Sequence, residues 1–165
     1  RQRAQEIQNK AAQAVRFLNR RELLLIGTAL YWAEGYKRLK VVDGKERTHH
    51  SVGFTNADPV MIRTYISFLR ETLGIPLHRI IITPRLFRHH NVEEVRNYWQ
   101  RMTSLPRENF RNPSFFVSRS SLGKRPYNRL PYGTAHIGVN DTEKFHQILG
   151  LIRGLKHAAV LRRRT

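Results

Sequence analysis

Glu34 is the acidic residue of this sequence with the weakest structural excuse. It closes an apolar run, Leu23 to Ala33, that is long enough for three helical turns, and Gly35 follows as the expected left-handed stop. A carboxylate in a last turn faces the negative end of the helix macrodipole, which costs roughly 0.3–1 kcal/mol. Two arrangements would compensate it. A nearby cation, Lys37 or Arg38, is the commoner one. The one that does chemistry is a divalent metal ion shared with a second copy of Glu34, brought close by two such helices packing together. A metal in that position would act as a Lewis acid and activate bound water.

Other candidates carry less. Asp43, Asp58 and Asp141 stand where a turn or a helix start calls for Asp. His49-His50 and His89-His90-Asn91 invite metal or nuclease readings, but neighbouring strand residues point to opposite faces, so both pairs read as polar surface. Ser118, Ser120 and Ser121 lie near basic residues, yet a Ser-His-Asp arrangement is recognised by geometry and not by spacing. Gly53 and Gly138 stand singly in strand-like stretches and mark bulges or close approach, not a phosphate-binding loop. Lys124 and Arg125, in an acid-free loop from Arg119 to Pro131, are placed to stabilise charge at a phosphate, from position alone.

The composition fixes the class of partner. Thirty Lys and Arg against 12 Asp and Glu give a formal net charge of +18, which favours a polyanion, with nucleic acid first. Arg outnumbers Lys, which suits forked contact with phosphates and guanine edges. Charge does not choose between DNA and RNA, so an RNA-binding protein stays open. The absence of Cys excludes disulfides and thiolate metal sites. No apolar run spans a bilayer and no signal-peptide core opens the chain, so the expectation is no membrane partner and a cytoplasmic, nucleoid-associated place.

The elements that must position Glu34 divide into a basic amphipathic arm (1–20), a domain (21–156) and a basic tail (157–165). In the arm Ala4, Ile7, Ala11, Ala14, Val15 and Leu18 recur at helical spacing, which predicts a helix packed on the domain, with direct DNA contact as the alternative. The helix carrying Glu34 reads as buried on every side. Ala29 and Ala33, four apart, with Ile26 and Leu30, give it a face on which a second helix comes close. Tyr36–Val42 and His50–Thr55 flank the turn signal Asp43-Gly44, predicting a hairpin. Lys37, Arg38, Lys40, Lys45, Arg47 and His49 make it basic: either a ribbon reading a major groove or a solvated hairpin.

Asp58-Pro59 opens a helix with Met61, Tyr65, Phe68 and Leu69 on its apolar face, ended at Gly74. A short strand, Ile80–Ile82, follows. Arg85, Arg88, His89 and His90 form a basic loop before Asn91, the N-cap of a helix bearing Val92, Val95, Trp99 and Met102 and ended by Pro106. A strand at Phe115–Val117 leads to the basic loop with Arg119 and Arg129. The strand Gly133–Val139 precedes a helix capped by Asp141, with Phe145, Ile148, Leu149 and Ile152 inward and Gly154 as its end. This order predicts an α+β domain: an antiparallel sheet with helices on one face and the other face free.

Gly27-Thr-Ala-Leu-Tyr-Trp-Ala-Glu-Gly35 resembles the nine-residue signature of the LAGLIDADG homing-endonuclease family. Gly27 stands where the signature begins with Leu, Ala29 replaces its Gly, and Glu34 replaces Asp while keeping the carboxylate. Phe54 to Pro59, Trp99 with Leu105-Pro106 and Phe110, and Arg129 to Thr134 are further blocks similar to small bacterial and phage proteins with one such domain. The resemblance runs from Glu22 to Leu155. It implies a saddle of strands over the duplex, the signature helix at a dimer seam, Ala29 and Ala33 at the packing positions, and Mg²⁺ or Mn²⁺ at Glu34 with the adjoining Gly35. Only one signature copy and no internal repeat are present, so two acidic residues require two chains. The expectation is a homodimer cleaving double-stranded DNA; a DNA-binding regulator without catalysis on the same scaffold is the alternative, and RNA binding the third. Relatives often carry a helix-turn-helix segment upstream. As the chain begins with Arg1 and not Met, it is expected to be the C-terminal part of a longer protein.

Overall fold

A computed structural model describes residues 2–15, 17–39, 41–46, 49–115 and 130–161. Helix α1, Gln2–Ala12, buries no residue, which corrects the expectation that the arm packs on the domain. It ends six residues short of Leu18, and Val15, Phe17 and Leu18 are exposed. Helix α2, Arg20–Glu34, begins with a reciprocal cap: Glu22 N–H donates to the Asn19 side chain at 2.9 Å, and Asn19 N–H to the Glu22 carboxylate at 2.8 Å. Only one side of α2 is buried, through Leu23, Gly27, Thr28 and Tyr31; Leu25, Ala29, Trp32 and Ala33 face solvent. The helix read as buried all round therefore has one bare face in the single chain. Gly27 sets how deep it lies, because an added Cβ would fall 2.1 Å from the Phe68 ring.

The predicted hairpin is shorter than the stretches flanking its turn suggested. Strands β1, Val41–Val42, and β2, Lys45–Glu46, pair across Asp43 and Gly44, whose φ values of 53° and 74° are those of the mirror-image turn that Asp-Gly favours. Strand β3, Ser51–Asn56, is not part of that ribbon. It pairs with β6, Thr134–Asn140, more than 80 residues away in sequence. Asp58 caps helix α3, Pro59–Ser67, with bonds from the N–H groups of Val60 and Met61. Its last turn widens over Phe68–Thr72, where Leu73 N–H reaches back to the Phe68 carbonyl, and Gly74 (φ 66°) ends it. Asn91 caps helix α4, Val92–Thr103, which stops at a left-handed Ser104, two residues before Pro106. Asp141 caps helix α5, Thr142–Leu161, through Lys144 N–H at 2.9 Å; α5 runs on through Gly154, which is not its end.

The four-stranded sheet has the order β3-β6-β4-β5, with β4 Ile81–Leu86 and β5 Ser114–Phe115. It is mixed and not antiparallel throughout: β6 runs antiparallel to β3 and β4, whereas β5 runs parallel to β4. The cause lies after α4. Asn109 donates to the Leu77 and Ile80 carbonyls, each at 2.7 Å, and Arg111 N–H to the Ile82 carbonyl at 2.9 Å, so the returning chain is tied along β4 in the same direction. Strand alternation sorts the two faces. Val52, Phe54, Ile82, Leu86, Ala135, Ile137 and Val139 are buried beneath α2, α3, α4 and α5 with Tyr31, Tyr65, Phe68 and Trp99. Ser51, Thr55, Thr83, Arg85, Thr134, His136 and Asn140 form the other, open face.

Candidate nucleic-acid interface

Glu34 reaches the rim of the open face because the chain leaves α2 sharply. Gly35 takes an extended conformation (φ −73°, ψ 151°), not the left-handed one expected of a helix stop. Glycine is required there for close packing: an added Cβ would lie 2.3 Å from the Tyr31 ring and 2.5 Å from its carbonyl oxygen. Tyr36 N–H then donates to the Gly53 carbonyl at 2.9 Å, laying the exit beside β3. The Tyr31 hydroxyl, fully buried, donates to the Tyr36 carbonyl, and burial pushes its pKa up to about 12.

The expected cation is present but does not pair with the carboxylate. Lys37 Nζ donates to the carbonyls of Gly35 at 2.6 Å and Tyr31 at 3.3 Å, so it offsets the negative end of α2 directly. Arg38 is exposed. Glu34 itself is exposed, and among the described residues no cation lies within ion-pair distance of it.

Two hollows occupy the open face. One, of about 360 Å³, is lined by Glu34, Gly35, Tyr36, Ser51, Gly53, Thr55, Arg85 and His136. The other, of about 390 Å³, runs on past His136 and Gly138 to Arg79 and Arg111. Glu34 is the only carboxylate among the residues lining either. Arg79 is held by Asp141 at 3.0 Å and by the Asn140 carbonyl at 2.9 Å. His136 joins both hollows; its Nδ1 is 2.8 Å from Thr55 Oγ1, and burial, then the charge of Arg85, lowers its pKa.

Of the residues singled out in the sequence, Glu34, Gly35 and Arg85 come together in one hollow. Lys45 stands on the exposed ribbon, and His49 and Arg88 are exposed elsewhere. On α2, Ala29 and Ala33 are exposed and Ile26 and Leu30 half-buried, which leaves that face bare beside Glu34. Lys40, Arg47, Arg119, Lys124, Arg125 and Arg129 lie outside the described residues. Two histidines read as surface are structural. His50 is buried, its ring stacked on Phe145 at 4.9 Å. His90 is half-buried: Nε2 donates to the Leu130 carbonyl at 3.0 Å while Nδ1 accepts from Phe87 N–H at 3.1 Å, an arrangement that needs the neutral ring, and burial and His89 lower its pKa. Thr55, Thr83, Arg79, Arg111 and His136 were missed. The signal for His136 was parity: it alternates with Ala135, Ile137 and Val139, which turn inward.

Among the described residues no group of three His, Asp or Glu is assembled to hold a metal within one chain. In comparisons with known proteins, no family model, no curated protein and no solved structure matches this chain.

Proposed function

We propose that the chain is a DNA-binding protein of the LAGLIDADG endonuclease type, in which two copies join along α2 and lay their open sheet faces as a saddle on double-stranded DNA. The distribution of charge carries the reading. A basic open face has one carboxylate on its rim, and that carboxylate is exposed and, among the described residues, unpaired. Beside it Ala29 and Ala33, with Leu25, form an exposed apolar strip on which a second copy can approach closely.

An exposed carboxylate is a hard oxygen donor suited to Mg²⁺ or Mn²⁺, with the second chain's Glu34, phosphates and water completing the shell. An ion held there supplies Lewis-acid stabilisation for phosphodiester hydrolysis. Arg85, in the same hollow, offsets phosphate charge, and Arg111 extends the positive surface along the duplex. Lys124 and Arg125 keep the charge-stabilising part their position suggested. A regulator that binds without cutting on the same scaffold is the second reading.

Selection from a random duplex library, followed by incubation with Mg²⁺ or Mn²⁺, tests both. Cleavage that Glu34→Gln abolishes while duplex affinity persists supports the nuclease. Binding without cleavage on every selected sequence supports the regulator. Mg²⁺-dependent nicking unchanged in Glu34→Gln removes Glu34 from the mechanism, and a preference for structured RNA over duplex at equal salt overturns both readings.

A further inference from the structure

Across the middle of the open face the strands place Thr55, His136 and Thr83 side by side, one from each of β3, β6 and β4. These three are neutral hydrogen-bonding groups flanked by cations: Arg85, opposite Thr134, in the same hollow on one side, and Arg79 and Arg111 at the far end of the neighbouring hollow on the other. In the next row Gly53 pairs directly with Gly138, so that on β3 and β6 it carries no side chain, and Ile81 of β4 completes it. Neither glycine marks a bulge, since the register runs on unbroken through both. At Gly53 the missing side chain leaves room for the His136 ring, whose Cε1 would be 3.2 Å from an added Cβ. At Gly138 it leaves open space, the nearest atom being His136 Nε2 at 3.8 Å. Thr55 holds Nδ1, and Nε2 has no hydrogen-bond partner among the described residues.

We propose that His136 is a specificity-determining residue, contacting a base edge through Nε2 over a floor cleared by Gly53 and Gly138. The inference rests on the duplex-docking reading above. Contacts from the flanking cations to phosphates position the duplex and carry no sequence information, whereas a neutral hydrogen-bonding group at the centre can discriminate base edges. Burial and the nearby Arg85 keep the ring neutral at pH 7, which suits a base edge better than a phosphate.

Duplex selection with the full chain and two variants tests this. His136→Ala should lower affinity for the selected sequence at least tenfold and relax the preference at one base position in each half-site, with non-specific binding and its salt dependence unchanged. Gly138→Ala fits the fold, since nothing lies closer than 3.8 Å to the added Cβ, and should melt no lower than wild type. It should nonetheless lose affinity for the selected sequence by at least as much. If both variants fold and keep the wild-type preference and affinity, the inference fails while duplex docking stands. If His136→Ala instead weakens all sequences equally and flattens the salt dependence, the contact is to phosphate and the inference also fails. If the wild type itself does not bind duplex DNA, the docking reading falls and takes this one with it.

Discussion

Replacing glycine by alanine should have opposite effects at two places in this protein. In a helix interior the change normally stabilises by about 0.5–1 kcal/mol, because it removes backbone freedom from the unfolded chain. Gly154 lies inside α5 with nothing within 4 Å of an added Cβ, so Gly154→Ala should gain that amount. Gly27 lies inside α2, but there the Cβ would fall 2.1, 2.3 and 2.6 Å from Phe68 Cγ, Cδ2 and Cβ. Carbon atoms rest about 3.5–4.0 Å apart, so the overlap exceeds an ångström on a ring that is fully buried. Overpacking of this kind costs about 1–3 kcal/mol or more, which outweighs the propensity gain. Gly27→Ala should therefore destabilise by roughly 1–3 kcal/mol, and Tm should fall by about 2–4 °C per kcal/mol. Urea and thermal unfolding followed by far-UV circular dichroism would measure both variants. A neutral or stabilised Gly27→Ala would show that α2 does not rest on Phe68 at this depth, and the position assigned to Glu34 at its end would lose its basis.

Two further outcomes follow from the aromatic core. The Tyr65 hydroxyl is fully buried without a hydrogen-bond partner among the described residues, so Tyr65→Phe should leave stability unchanged or raise it by up to about 1 kcal/mol. A loss larger than that in urea unfolding would reveal a bond to the hydroxyl. Burial raises the Tyr31 pKa from 10.0 to about 12, so the folded chain keeps a proton that the unfolded chain releases. The corresponding stability, of order 2–3 kcal/mol, is complete below pH 10 and lost as the pH rises through about 12. Melting curves across that range should decline less steeply for Tyr31→Phe, and equal slopes would contradict the assignment.

Local signals in the sequence proved accurate where the physics is local. Asp58, Asn91 and Asp141 cap the helices their positions announced, and Asp43-Gly44 makes the tight turn it favours. Helical spacing marked Trp99 and Phe145 as core. What escaped were contacts between distant parts of the chain. The pairing of β3 with β6 cannot be read from either strand, and the turn signal Asp43-Gly44 suggested a nearer partner. Glycine misled twice: Gly154 interrupts nothing because no contact opposes it, and Gly35 is required by the Tyr31 ring and not by its own φ. Glu34 was visible as an anomaly of helix electrostatics, whereas His136 needed the sheet to show which face it occupies.

The placement of β6 governs when the chain can close. It is the last strand to be made, yet it lies between β3 and β4, which have no direct pairing with each other. Until residue 134 has emerged, two hydrogen-bonding edges made much earlier stay open, and an unsatisfied edge invites pairing with the wrong chain. The surface that would receive a duplex and the barrier to self-association during synthesis are thus completed in one step, by the same seven residues.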